Sequence, residues 1–240
     1  MNIAGSGVIP AGEFEEKVSI SGSGRINGNL RCTEFSVAGS ASGTGDLHCA
    51  EILSVAGSMH LDGSVTAQTV RVSGSLRLDG ACTAQEDVRV AGAAHFGGKV
   101  KCTKLHSSGA LHLQQGADAE EICVKHTVQS GGLLNAEKVA LHLRGGKSSV
   151  ACIGGSEISV TNEGQKRTLR NLFCFGDRGE GWLQVSESIE GESITLENTE
   201  TPLVVGDTVV IGRGCKIGAV QYRDTLTVHP EATVGKTEKL

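Results

Sequence analysis

Large rings are scarce in this sequence. Five Phe, one Trp and one Tyr are all the aromatics among 240 residues, and there are only 3 prolines. A compact globular core of ordinary shape leans on aromatic bulk, so this interior has to be filled by Val, Ile, Leu, Ala and Cys. No stretch approaches the roughly 18 apolar residues of a membrane span. There is no excess of positive charge either: 22 Lys and Arg stand against 27 Asp and Glu, a net charge of −5. That removes the basic footprint expected of a nucleic-acid binder. Met1 to Lys17 lacks the basic start and apolar run of a signal peptide. The 8 cysteines are never closer than 17 residues apart, which excludes the close pairs of a zinc site. Such spacing suits free thiols in a reducing compartment. The expectation is a soluble cytoplasmic protein without metal, cofactor or nucleic-acid partner.

Glycine, in contrast, is abundant. Its 34 copies are about double the usual share of about 7%, and they do not fall at every third position as in collagen. They mark a repeat. Val55-Ala-Gly-Ser-Met-His-Leu-Asp-Gly63 recurs as Val72-Ser-Gly-Ser-Leu-Arg-Leu-Asp-Gly80 and as Val90-Ala-Gly-Ala-Ala-His-Phe-Gly-Gly98. The first glycines fall at Gly22, Gly39, Gly57, Gly74, Gly92 and Gly109, spaced 17, 18, 17, 18 and 17.

Three apolar columns follow the same period: Ile20, Val37, Val55, Val72 and Val90; Ile26, Leu61, Leu78, Phe96 and Leu113; and Phe35, Ile52, Val70, Val88, Leu105, Ile122 and Val139. Within a copy, Leu61, Gly63, Val65 and Ala67 alternate with His60, Asp62, Ser64 and Thr66. Period two means strands. One rung cannot bury its own apolar face, so neighbours must stack on it at about 4.8 Å. The predicted fold is all-β, a single-stranded parallel β-helix (a β-solenoid) with rungs of 17–18 residues and the three columns inside.

The organisation expected is a tail or cap over 1–17, a main β-helix over 18–150, a loosened rung plus hairpin excursion over 151–186, further rungs over 187–235 and a tail over 236–240. The excursion is drawn from two apolar runs around the glycine-rich turn Gly176 to Gly181. Its Phe173, Phe175 and Trp182 are read as a partner surface. Glu13, Glu15, Glu16 and Lys17 are read as a charged N-terminal cap. The short segment Lys236 to Leu240 covers little, and unpaired strand edges are templates for another chain.

Chemistry is thin. Cys32, Cys49 and Cys102 share a column with Ala67 and Ala84, an inward ladder of small hydrophobes. Arg25, His60, Arg77, His95 and His112 form an outward cationic column. It is a solvated face, or in a sharper reading a pH-sensitive contact or anion-binding stripe. Gly22-Ser-Gly24 and Gly43-Thr-Gly45 lack the Lys-Ser/Thr of a phosphate loop, and no catalytic constellation emerges. Val210 to Gly218 carries one hexapeptide-like pair, Ile211-Gly and Ile217-Gly, which is the opening for a rival reading as a left-handed β-helix acyltransferase. A capped, non-polymerising adaptor is the other alternative.

The apolar-x-Gly openings (Ile20-Ser-Gly22, Val55-Ala-Gly57, Val72-Ser-Gly74) and the Leu-Asp-Gly closings at 61–63 and 78–80 resemble the bactofilins, polymer-forming bacterial cytoskeletal proteins. The resemblance covers about residues 18–143; the hundred or so residues of β-like sequence beyond depart from a typical member and suggest a long variant. It implies a right-handed β-helix that assembles end to end into nucleotide-independent filaments, alone or with a paralogue. It also implies roles in positioning envelope, morphogenesis or motility machinery as unidentified client proteins. For the N-terminal segment it implies peripheral contact with the inner face of the cell membrane.

Overall fold

A computed structural model describes residues 1–162 and 181–240. They fall into two compact units, Met1–Glu120 and Glu121–Leu240. Both are coils of parallel strands, and among the described residues there is no helix. No helix, in particular, is long and apolar enough to cross a membrane.

In Met1–Glu120 each rung lies in register on the next. Leu61 pairs with Leu78, Leu78 with Phe96 and Phe96 with Leu113. Val37 pairs with Val55, Val55 with Val72 and Val72 with Val90. All of these side chains are buried, each contributing about 1.5–3 kcal/mol relative to exposure. Gly43 sits between Ile26 and Leu61 in the ladder. Those two side chains fill the space that a Cβ there would need, which explains why this rung carries glycine in the column. The corner glycines are equally constrained: a Cβ on Gly74 would collide with the carbonyl oxygen of Gly57.

One column differs from its sequence reading. Phe35 stacks on Leu53, and Leu53 on Val70, while Ile52 pairs with Glu34 and is only half-buried. The register shifts between Cys32 and Glu34. Cys32 and Phe35 are three residues apart, but their partners Cys49 and Leu53 are four apart, so a bulge takes up the extra residue and changes which side chain faces inward. Counting by 17 or 18 cannot locate such an insertion.

The first seventeen residues also differ from a tail or cap. Asn2–Ile3 pairs with Ser19–Ile20, and Ser6–Phe14 pairs with Ser23–Cys32. They therefore make a rung of their own, with Ile9 wholly buried on Ile26.

A polar ladder at one corner has no counterpart in the sequence reading. Asn29 Oδ1 accepts the Asp46 N–H at 2.9 Å, Asp46 Oδ1 accepts the Ser64 N–H at 2.8 Å, and Ser64 Oγ accepts the Ala81 N–H at 3.2 Å. Each side chain satisfies a backbone donor of the next rung, where strand pairing lapses. The signal was present as Gly28-Asn, Gly45-Asp and Gly63-Ser at rung spacing.

Glu121–Leu240 follows the same principle with looser spacing. Ile122, Val139, Ile158, Ile194, Val209 and Leu226 stack in turn. So do Val124, Leu141, Val160, Leu196, Ile211 and Val228. Strands Lys147–Asn162 and Trp182–Leu196 are both part of this coil. The hairpin excursion expected over 151–186 is therefore absent from 151–162 and 182–186, which are strand; residues 163–180, with Phe173 and Phe175, lie outside the described residues.

Candidate functional surfaces

Alternation along each strand puts Arg25, His60, Arg77, His95 and His112 on the face opposite Ile26, Leu61, Leu78, Phe96 and Leu113. Stacking brings only some of them together. Ser42 separates Arg25 from His60, whereas His60, Arg77, His95 and His112 occupy successive rungs. His95 and His112 stack with ring centroids 4.6 Å apart. Burial first, then the neighbouring His112 and Arg77 charges, hold the His95 imidazole below its ordinary range.

His60 is not simply one more cation in a row. Its Nε2 lies 3.3 Å from Asp62 Oδ1 and 3.3 Å from Asp79 Oδ2. Arg77 Nε donates to Asp79 Oδ1 at 3.1 Å. The His60 hydrogen bond first, and the Arg77 charge with it, hold the Asp79 carboxyl below the usual carboxylate range. The face is therefore mixed in charge. The sequence reading missed this because it weighed the histidines and the Leu-Asp-Gly aspartates separately.

The cysteine column is an apolar ladder. Cys32 and Cys49 are free, buried and 3.9 Å apart at sulfur, and Ala67 pairs with Ala84 farther along. The hydrogen bond to Cys32, then burial, pushes the Cys49 thiol up. Burial also pushes Cys82 and Cys102 up to about 12. The same contact with Cys49 holds the Cys32 thiol below its ordinary range, whereas Cys49, Cys82 and Cys102 stay protonated at neutral pH, and a thiol without its thiolate is a poor nucleophile.

In Glu121–Leu240, Trp182 opens a strand, half-buried, with the Lys216 ammonium 5.6 Å from its ring centroid. The end of this unit is the more open surface. Thr225–Val228 pairs on one side with Thr208–Ile211. The last strand, Thr233–Lys239, covers only Lys216–Tyr222. Leu226 and Val228 are the final members of the two inner columns, and Val228 is 40% exposed.

The sequence model of the bactofilins, described as polymer-forming cytoskeletal, matches residues 44–118. The chain resembles the bactofilins over residues 44–118. Two proteins of Bacillus subtilis (strain 168) are similar to it: uncharacterized protein YhbF, 35% identical over 109 residues, and uncharacterized protein YhbE, 36% identical over 109 residues. Each match covers 45% of this chain and 42% or 44% of the relative, so the chain spans less than half the length of either. No solved structure matches significantly. The bactofilin match lies within the unit whose rungs repeat most regularly.

Proposed function

We propose that the chain is a non-enzymatic, self-assembling cytoskeletal scaffold of the cytoplasm. It forms nucleotide-independent filaments, alone or with a paralogue, and positions envelope, morphogenesis or motility machinery at the inner face of the membrane. The observation that carries this reading is the strand Thr225–Val228. It has a parallel partner on one side only among the described residues, and it presents the apolar Leu226 and Val228 where a further rung would stack. An exposed strand edge with an apolar inner face is a template for strand addition by a second copy. The polymer-forming character of the matched family supports the same reading. The raised thiols of Cys49, Cys82 and Cys102, and an outer face built of paired charges, favour work by surfaces over covalent chemistry.

Negative-stain electron microscopy across a concentration series, without nucleotide, tests the proposal. Filaments are expected from the wild type, and Val228→Asp should shorten or abolish them while leaving the circular dichroism spectrum intact. A strictly monomeric wild type in sedimentation at high concentration would overturn it.

A further inference from the structure

We propose that His60, Asp62 and Asp79 form a binding site for one divalent first-row transition ion of the Zn²⁺ type on the outer face of Met1–Glu120. Among the described residues this is the one place where three such ligand-bearing side chains converge, their donor atoms all within 4.8 Å of one another. The spacing matches the chemistry. Metal–ligand bonds of about 2.0–2.1 Å at the tetrahedral angle put neighbouring donors about 3.3 Å apart. His60 Nε2 lies 3.3 Å from the nearest oxygen of each aspartate.

The coil preorganises the set. His60 and Asp62 project from the same face of one strand, and Asp79 follows Leu78, which is paired with Leu61, so it stacks on Asp62 one rung on. Like charges stacked across strands repel; a dication between them reverses the sign of that interaction. Arg77 holds Asp79 by Oδ1 and leaves Oδ2 to the ion, the role of an outer-shell partner that orients a ligand. On the flanking rungs Ser42 pairs with His60 and His95 pairs with Arg77, so the next imidazole, His95, is separated from His60 by the Arg77 rung.

One imidazole and two carboxylates favour Zn²⁺, Co²⁺ or Ni²⁺ over Ca²⁺ or Mg²⁺, which prefer all-oxygen shells. The side chains are 47%, 55% and 39% exposed, so the remaining coordination positions are open to water.

The test is titration of the full chain with Co²⁺, followed by absorption, and with Zn²⁺, followed by calorimetry. One equivalent should bind, with d–d bands but no thiolate charge-transfer band. His60→Ala and Asp62→Asn should each weaken binding by at least about tenfold. The double variant His95→Gln, His112→Gln should retain it. All four substituted positions are on the outer face, and circular dichroism checks that each variant is folded. Absence of binding to the wild type, binding that survives His60→Ala with Asp62→Asn, binding lost with His95 and His112, or a thiolate band would each overturn the proposal.

Discussion

Met1–Glu120 and Glu121–Leu240 solve the same problem with different regularity. In the first, the Leu61 column advances by 17, 18 and 17 residues, its corners are set by glycines, and Ser107 is its one buried polar residue among those described. In the second, Val139 pairs with Ile158 at 19 residues and Ile194 with Val209 at 15. Ser130, Ser148, Asn198, Thr199 and Thr201 are all buried there. Each has a local partner: Ser130 donates to the Gly132 carbonyl, Ser148 accepts the Val128 N–H, Asn198 donates to Gly181, Thr199 to Glu197 and Thr201 to Leu203. No described buried side-chain nitrogen or oxygen lacks a partner. A solenoid therefore needs inward-outward alternation and continuous strand pairing, not a constant rung. Where the length drifts, hydroxyls and amides repair the corners.

The strongest test of that shared principle is to charge the column in both units. Leu78→Asp and Ile194→Asp each place a carboxylate in a dry ladder with no partner, at a cost of several kcal/mol. Urea unfolding should show both losses; a near-neutral variant in one unit would show that its column is not the core. Next comes the bulge. Leu53→Ala should cost about 2–5 kcal/mol and Ile52→Ala only about 1 kcal/mol, and a reversed order in thermal melts would restore the plain 17–18 count. The corner ladder is worth less. Asp46→Ala removes the acceptor of the Ser64 N–H and should cost about 1 kcal/mol, read as a shift in denaturation midpoint.

The smallest expected effect is in pH dependence. His95 binds its proton more weakly in the folded than in the unfolded chain, so stability is fully present above the unfolded value of about 6.5 and falls as pH drops through the folded one. His95→Gln should flatten the stability profile below about pH 6.5. An unchanged slope would mean that the stacked pair titrates as if solvated.

Much of this was legible in the residues because period two and period 17–18 are properties of the chain itself. Val55, Val72 and Val90, or Leu61, Leu78 and Phe96, announce an inner face before any coordinate is known. Ile52 misled because a one-residue bulge turns a strand over without disturbing its composition. In Glu121–Leu240 the words persist (Ile153-Gly-Gly, Ile189-Glu-Gly, Val205-Gly-Asp) while the spacing drifts, so the column could be suspected but not aligned.

What the sequence by itself determined is the kind of order: strands, glycine corners, an aliphatic interior and a charged exterior. Each of these follows from side-chain volume and alternation along one chain. What the tertiary structure decided is which residues meet across rungs. Cys32 reaches Cys49, Asn29 holds the Asp46 amide, and His60 faces Asp79 nineteen residues away. Those encounters depend on how many residues each corner consumes, and that number is set by backbone geometry and pairing, which no single rung contains.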